Sequence, residues 1–512
     1  MALAKVKSCG LTGIDGYIIE VEADLVQGLP GIDIVGLADT AVKESRERIK
    51  SAIKNSGLTL PQKKIIINLA PANMKKEGIS LDLPICMAIL AASGQIAPNA
   101  CDGYIIMGEL ALDGTIRYAN GVLPSAISAR QMGYEKLLVG VDNAFEASVA
   151  DGIKVFGASN LREAVSHLRG ENEIAPHRAD IESLFDNPRE SYPDFCDVKG
   201  QQAAKRAMEI AAAGGHNILM VGSPGSGKTM LAKRLPSILP DMSFEEILEV
   251  TKIYSVAGKL PKDVPIITKR PFRSPHHTAS GVALTGGGAV PKPGEISLAH
   301  RGVLFLDEFP EFRKDAMEAM RQPIEDGEFT VSRVAGTCVF PSSVMLVASM
   351  NPCKCGYYGD ETRECTCTPS QIQSYLGKVS GPMLDRFDLH IEVPSVKYDE
   401  ISGTAKAESS DSIRVRVDKA RKIQLQRYKG SGIYCNAQLT SALMEEHCKI
   451  KEEGKMILQA AFESLGLSAR AHNRILKVAR TIADLDGCEF IETNHIAEAI
   501  GYRSLDKKFW FN

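Results

Sequence analysis

Eight residues constrain this chain more than any others: GSPGSGKT, Gly222 to Thr229. They follow a short apolar run, NILMV, and precede a helical pattern, MLAKRL. Gly222, Gly225 and Gly227 let backbone N–H groups close around phosphate oxygens, with Ser223, Pro224 and Ser226 completing the loop. The start of the following helix adds partial positive charge. Lys228 is expected to reach the outer phosphates of ATP, and the Thr229 hydroxyl to ligate Mg²⁺. A glycine-rich turn that merely joins strand to helix would not need this full pattern in this context. The loop sits among short apolar runs with turn signals after them, so a parallel α/β sheet covered on both faces is predicted around it.

Two further apolar runs belong to that sheet. GVLFLDEF brings Asp307 and Glu308 out at its C-terminal end, where open α/β sheets bind ligands. Asp307 is expected in the Mg²⁺ shell, and Glu308 to orient and polarise an attacking water. SSVMLVASMNP ends at Asn351, whose amide could sense a γ-phosphate and help place that water. Alone, Asn-Pro is a common turn; in this order it is a sensor.

At 512 residues the chain is too long for one core, and about three domains are expected. Residues 1–168 mix strands (YIIEVEADL, KKIIINLAP) with a helix (DLPICMAILAASG) closed by Gly94. GYIIMGELALDGTIR reads as a hairpin turning at Asp113-Gly114. Residues 169–191 read as a linker, 192–395 as the α/β core, 396–411 as a second linker and 412–512 as helical. A net charge of -3 means that nucleic-acid binding must rest on local patches. No run of about 18 apolar residues predicts a membrane span, and MALAKVKSCG lacks a signal-peptide stretch, so a cytoplasmic location is expected. The twelve cysteines then read as reduced thiols or metal ligands. Four of them, Cys353, Cys355, Cys365 and Cys367, fall within CKCGYYGDETRECTC. Four thiolates can complete a closed, structural zinc site, although C-x-C is tighter than the usual knuckle. Unligated thiols or a redox pair are the alternatives.

From Lys228, Asp307–Glu308, Asn351, SGPMLDRFDLH and the helical tail, residues 192–512 resemble an AAA+ ATPase, and within that class the branch of MCM helicases and magnesium-chelatase ATPase subunits. The resemblance makes Arg386 of LDRFD the arginine finger reaching a neighbouring subunit. Arg470 of LSARAHNR becomes the second sensor arginine, with Arg474 as the alternative. It makes residues 256–300, glycine-rich and with few residues able to form a core, the insert of this branch. Residues 328–341 become a pre-sensor hairpin whose tip arginine, Arg333, would touch DNA phosphates in a central pore.

KKEGISLDLPICMAIL with the following GYIIMGELALDGTIR region resembles the Lon peptidase domain, an S5-like α+β fold. Ser80 falls on the nucleophile. Leu123 stands where the family's lysine base belongs, and no lysine lies between Lys76 and Lys136. A serine without a base is a poor nucleophile, so the domain is expected to be a peptidase-dead scaffold. The whole chain resembles the YifB/ComM family of magnesium-chelatase-like proteins. That resemblance implies a bacterial, homo-hexameric, ATP-driven helicase acting on branched or single-stranded DNA during recombination or DNA uptake. A magnesium-chelatase subunit and an ATP-dependent peptidase are the alternatives.

Overall fold

The run Ile218–Val221 is buried along its whole length, as expected of an apolar strand with partners on both sides and helices above and below. In the computed structural model it lies between Met345–Met350 and Leu389–Glu392, all parallel. Val303–Leu306 and Phe272–Arg273 extend the sheet beyond Met345–Met350, again in parallel. Described are residues 3–76, 80–179, 192–261, 264–288, 291–333, 336–360, 363–396, 407–465 and 467–509.

Parallel pairing puts all C-terminal strand ends on one edge. The loops after Val221, Leu306 and Met350 therefore converge there, which brings Gly222–Thr229, Asp307–Glu308 and Asn351 together. The opposite edge carries the residues that precede these strands, among them Asn217 and, before Leu389, Arg386. A four-residue strand separates the two edges by about 13 Å.

The N-terminal part forms a seven-stranded mixed sheet. Its order is Gly31–Val35, Lys64–Ala70, Asp15–Val26, Ala4–Thr12, Tyr104–Ile106, Lys136–Gly140 and Lys154–Ala158. The helix Asp82–Ala92 is buried at all eleven positions and Gly94 follows it at φ 74°. The expected hairpin over residues 103–117 is only partly present. Tyr104–Ile106 instead joins the large sheet, parallel to both neighbours, and only Glu109–Leu110 and Ile116–Arg117 pair as a hairpin. Ile105 and Ile106 are wholly buried, which an interior strand satisfies and a surface hairpin does not. His177, within the segment read as a linker, forms a bridge with Val155; residues 180–191 lie outside the described part, as do 397–406 of the second expected linker.

The two α/β parts share a core. Met242, Ile247, Val250 and Ile266 cluster with Val122, Leu123 and Ala126 of the N-terminal part. Beside them a polar network crosses the junction. Buried Glu146 accepts from the Ser255 hydroxyl, the Leu123 N–H at 3.2 Å and Asn143 Nδ2 at 3.2 Å, and burial holds its carboxyl above the usual range.

The insert is more ordered than its composition suggests. Gly281–Thr285 and Glu295–Leu298 are short helices joined by a two-residue ladder, and Leu284, Ile296 and Leu298 are buried. Residues Glu328–Arg333 and Gly336–Pro341 pair as the expected hairpin, with Arg333 opposite Gly336 as the last pair. Residues 334 and 335, at the turn, and the Arg333 side chain lie outside the described part. The hairpin's Val331, Cys338 and Phe340 pack with Ile14, in the turn between Ala4–Thr12 and Asp15–Val26 of the N-terminal part. From Ser410 onward the described chain is helical, and its helices share a core with Gln202–Gly214.

Candidate active site

Lys228 opens a helix whose N-terminal neighbour Gly227 is left-handed at φ 93°. Its ammonium turns back over the loop, donating to the carbonyls of Gly222 at 2.7 Å and Ser223 at 2.9 Å. It also donates to Asn351 Oδ1 at 3.3 Å, so the expected sensor touches the expected phosphate lysine. Burial pushes the Lys228 amine down to about 8, against the opposing pull of Asp307. A half-desolvated ammonium ringed only by neutral oxygens is poised to gain from an incoming phosphate.

The Thr229 hydroxyl donates to Asp307 Oδ2 at 2.8 Å, and the Ser349 hydroxyl donates to Asp307 Oδ1. A hydroxyl and a carboxylate this close form a hard-oxygen pair of the kind Mg²⁺ takes alongside substrate phosphates. Glu308 sits at φ 52°, a left-handed backbone that only a few non-glycine residues of the described chain adopt. Its side chain is 58% exposed, and its Oε2 lies 3.2 Å from His277 Nδ1. It is thus open to solvent at the edge that also carries Gly222–Thr229. The sequence reading did not single out His277 or Ser349; the tandem His276-His277 just after Phe272–Arg273 was the available signal.

Asp360 is a further unforeseen partner. It accepts from the Ser223 hydroxyl at 2.6 Å, and it lies between the cysteine pairs. The four sulfurs of Cys353, Cys355, Cys365 and Cys367 all lie within 4.8 Å of one another, with Cys353–Cys355 at 3.3 Å, Cys355–Cys365 at 3.5 Å and Cys353–Cys365 at 3.7 Å. A tetrahedral thiolate site with 2.3 Å bonds has sulfur–sulfur edges of about 3.8 Å. The cluster can therefore hold a metal ion. It begins two residues after Asn351, and Gly356 lies against the Pro224 ring of the phosphate loop.

The three arginines lie elsewhere. Arg386 is at the opposite sheet edge, its Nη2 on Glu325 and its buried Nε without a hydrogen-bond partner. Arg474 pairs with Asp385 at 3.3 Å and Asp388 at 3.5 Å, and Arg470, 65% exposed, lies 3.7 Å from Asp385. Arg386, Arg470 and Arg474 thus form one group, a strand's length from the loop that holds Lys228.

Around Ser80 the chemistry is different. Asp82, two residues on, is buried in a two-pronged pair with Arg48 at 2.7 and 3.0 Å. Leu123 is wholly buried. Lys76 donates its ammonium to the carbonyls of Pro71 and Met74.

Three family models match the chain. "Magnesium chelatase, subunit ChlI" covers residues 194–401, "Subunit ChlI of Mg-chelatase" residues 21–143, and "Magnesium chelatase, subunit ChlI C-terminal" residues 407–503. The uncharacterized protein YifB of Escherichia coli K12 is 45% identical over 99% of the chain and 98% of its own length. Competence protein ComM of Haemophilus influenzae is 44% identical over 99% of the chain and 98% of its own. The chloroplastic magnesium-chelatase subunit ChlI of Oryza sativa subsp. indica is 23% identical over 64% of the chain.

Proposed function

The chain belongs to the YifB/ComM family of magnesium-chelatase-like AAA+ ATPases, and from that premise we propose that it is an ATP-driven motor on branched or single-stranded DNA. The observation that carries the reading is the convergence of Lys228, the Thr229–Asp307 pair and Asn351 at one sheet edge. In this reading Lys228 leaves its loop carbonyls for the β- and γ-phosphates. Thr229 and Asp307 hold Mg²⁺, which neutralises phosphate charge when bound. Glu308 orients the attacking water, and Asn351 reports on the γ-phosphate.

Arg386 lies a strand's length from this site, so in this reading it acts as the finger on a neighbouring copy's nucleotide, while Arg470, or Arg474 beside it, serves as the second sensor arginine. That requires a ring, and we assign it six subunits by analogy with the resemblance. The hairpin ending at Arg333 supplies phosphate contacts in the ring channel. Similarity to a competence protein over the full length supports a role in DNA uptake or recombination. No helix among the described residues is long and apolar enough to cross a membrane, and we place the protein in the cytoplasm. Zinc is the metal proposed for the four cysteines, in a structural role.

The chelatase reading has the family names in its favour, including the one matched over residues 21–143. Chelatase subunits nevertheless align over only 42% and 64% of this chain, where YifB and ComM align over 99%. For Ser80 we propose no peptidase role, because Asp82 is committed to Arg48, Leu123 carries no base and Lys76 is spent on carbonyls. Branch migration of a four-way DNA junction tests the motor reading. The parent should resolve it with ATP, Glu308→Gln should bind ATP without doing so, and Arg333→Ala should hydrolyse ATP without coupling it to DNA. An inert parent with intact ATP turnover contradicts the reading.

A further inference from the structure

Asn217 is the residue immediately before the phosphate-loop strand, and its polar atoms are shared among three strands. Its Oδ1 accepts from the Leu346 N–H at 2.8 Å, near the start of the strand that ends at Asn351. Its Nδ2 donates to the Arg386 carbonyl at 2.8 Å. Its own carbonyl accepts from the N–H groups of Asp388 at 2.9 Å and Leu389 at 3.1 Å, and its N–H donates to Asp388 Oδ2 at 3.3 Å. One side chain therefore ties the backbone carrying Arg386 to the starts of both strands whose far ends hold Lys228 and Asn351.

Hydrogen bonds hold the Arg386 guanidinium only loosely, although its side chain is just 13% exposed. Its Nε has no hydrogen-bond partner, and its Nη2 contact is to Glu325, a side chain 55% exposed. The aim of the guanidinium therefore depends on the placement of its backbone together with the packing around the side chain. That backbone is held by the Asn217 amide and by the turn from Met383 to Arg386.

We propose that Asn217 is a positioning residue that sets Arg386 for the neighbouring subunit's nucleotide and links its placement to the state of its own subunit's site. Close-packed buried strands are poorly compressible and transmit strain. A displacement of the phosphate loop or of Asn351 when a γ-phosphate arrives or leaves is therefore passed along Ile218–Val221 or Met345–Met350 to Asn217, and from there to Arg386. The inference rests on the reading of Arg386 as acting in a neighbour.

Complementation in mixed rings tests it. Asn217→Asp keeps the acceptor for Leu346 and loses the donor to Arg386; Asn217→Ala loses both and serves as the second variant. Each is first checked for a folded melting transition and for fluorescent-ATP affinity, which should stay within about twofold of the parent. ATP turnover should fall about tenfold, the worth of one lost hydrogen bond. Mixed with Lys228→Ala, which has a dead site and an intact Arg386, either variant should regain activity, because its own intact site is then served by a well-set neighbour. Mixed with Arg386→Ala it should not, since both partners fail in the same group. No rescue by Lys228→Ala, while Arg386→Ala with Lys228→Ala is rescued, overturns the role of Asn217 alone. No rescue in either pair overturns the neighbour-acting reading and this inference with it. ATP affinity lost in both Asn217 variants also overturns it, as a plain structural role in the subunit's own site.

Discussion

Gly356 is where the cysteine cluster meets the phosphate loop, and replacing it with alanine should weaken ATP binding without touching any ligand. Its φ is +90°, and a Cβ there would lie 2.6 and 2.7 Å from Cδ and Cγ of Pro224, where ordinary contact begins at 3.4 Å. The left-handed backbone costs a non-glycine residue about 1–2 kcal/mol. Forcing a methyl against a ring that cannot rotate away adds about 1–3 kcal/mol. The strain is relieved only by shifting the cysteine loop or the phosphate loop, and the Asp360–Ser223 hydrogen bond ties the two together. A share of about 1.4 kcal/mol falling on the phosphate loop raises the Kd for ATP tenfold. Gly432→Ala is the control, with φ 78° and nothing within 4 Å, so it carries the backbone cost without the clash. Fluorescent-nucleotide titration, metal analysis and thermal unfolding of both variants make the assay. Gly356→Ala should keep its metal and bind ATP at least about tenfold more weakly, and Gly432→Ala should bind normally. Equal ATP affinity in the two would refute the coupling.

Other outcomes follow from the same geometry. With the Lys228 amine held near 8 by burial, ATP affinity should be flat below that pH. Above it, affinity should fall by up to tenfold per unit, because binding favours the charged form and must then take up a proton; calorimetry showing no proton uptake near pH 9 would oppose this. Ser255→Ala leaves the buried Glu146 carboxylate short of a donor at the junction of the two α/β parts. It should cost about 1–3 kcal/mol, seen as an earlier unfolding transition with ATP affinity retained. Cys365→Ser with Cys367→Ser should remove about one zinc per chain and, through Asp360 and Gly356, weaken ATP binding as well as lower stability; a metal-free parent would contradict the zinc assignment.

What the sequence made legible was the chemistry carried on contiguous runs. Gly222–Thr229, Asp307–Glu308 and Asn351 each follow a short apolar strand, so parallel pairing alone brings them to one edge. The contacts made across long separations were not legible. His277 beside Glu308, Asp360 beside Ser223 and Asn217 beside Arg386 depend on loops whose path no local pattern specifies. The large N-terminal sheet captured Tyr104–Ile106 because burying two isoleucines in its interior outweighs a hairpin whose observed arms are two residues long. The insert looked too glycine-rich to pack, yet a few side chains such as Leu284 and Ile296 suffice when a neighbouring core receives them.

The central claim is that nucleotide turnover at Lys228, Asp307 and Glu308 serves DNA. Steady-state ATP hydrolysis measured with four-way, forked, single-stranded and fully duplex DNA, and with a porphyrin-chelatase mixture, tests it directly. The account predicts ATP turnover that is stimulated by branched or single-stranded DNA above duplex, is indifferent to the porphyrin mixture and is abolished in Glu308→Gln. Turnover unmoved by any DNA, or raised only by the porphyrin mixture, would contradict it.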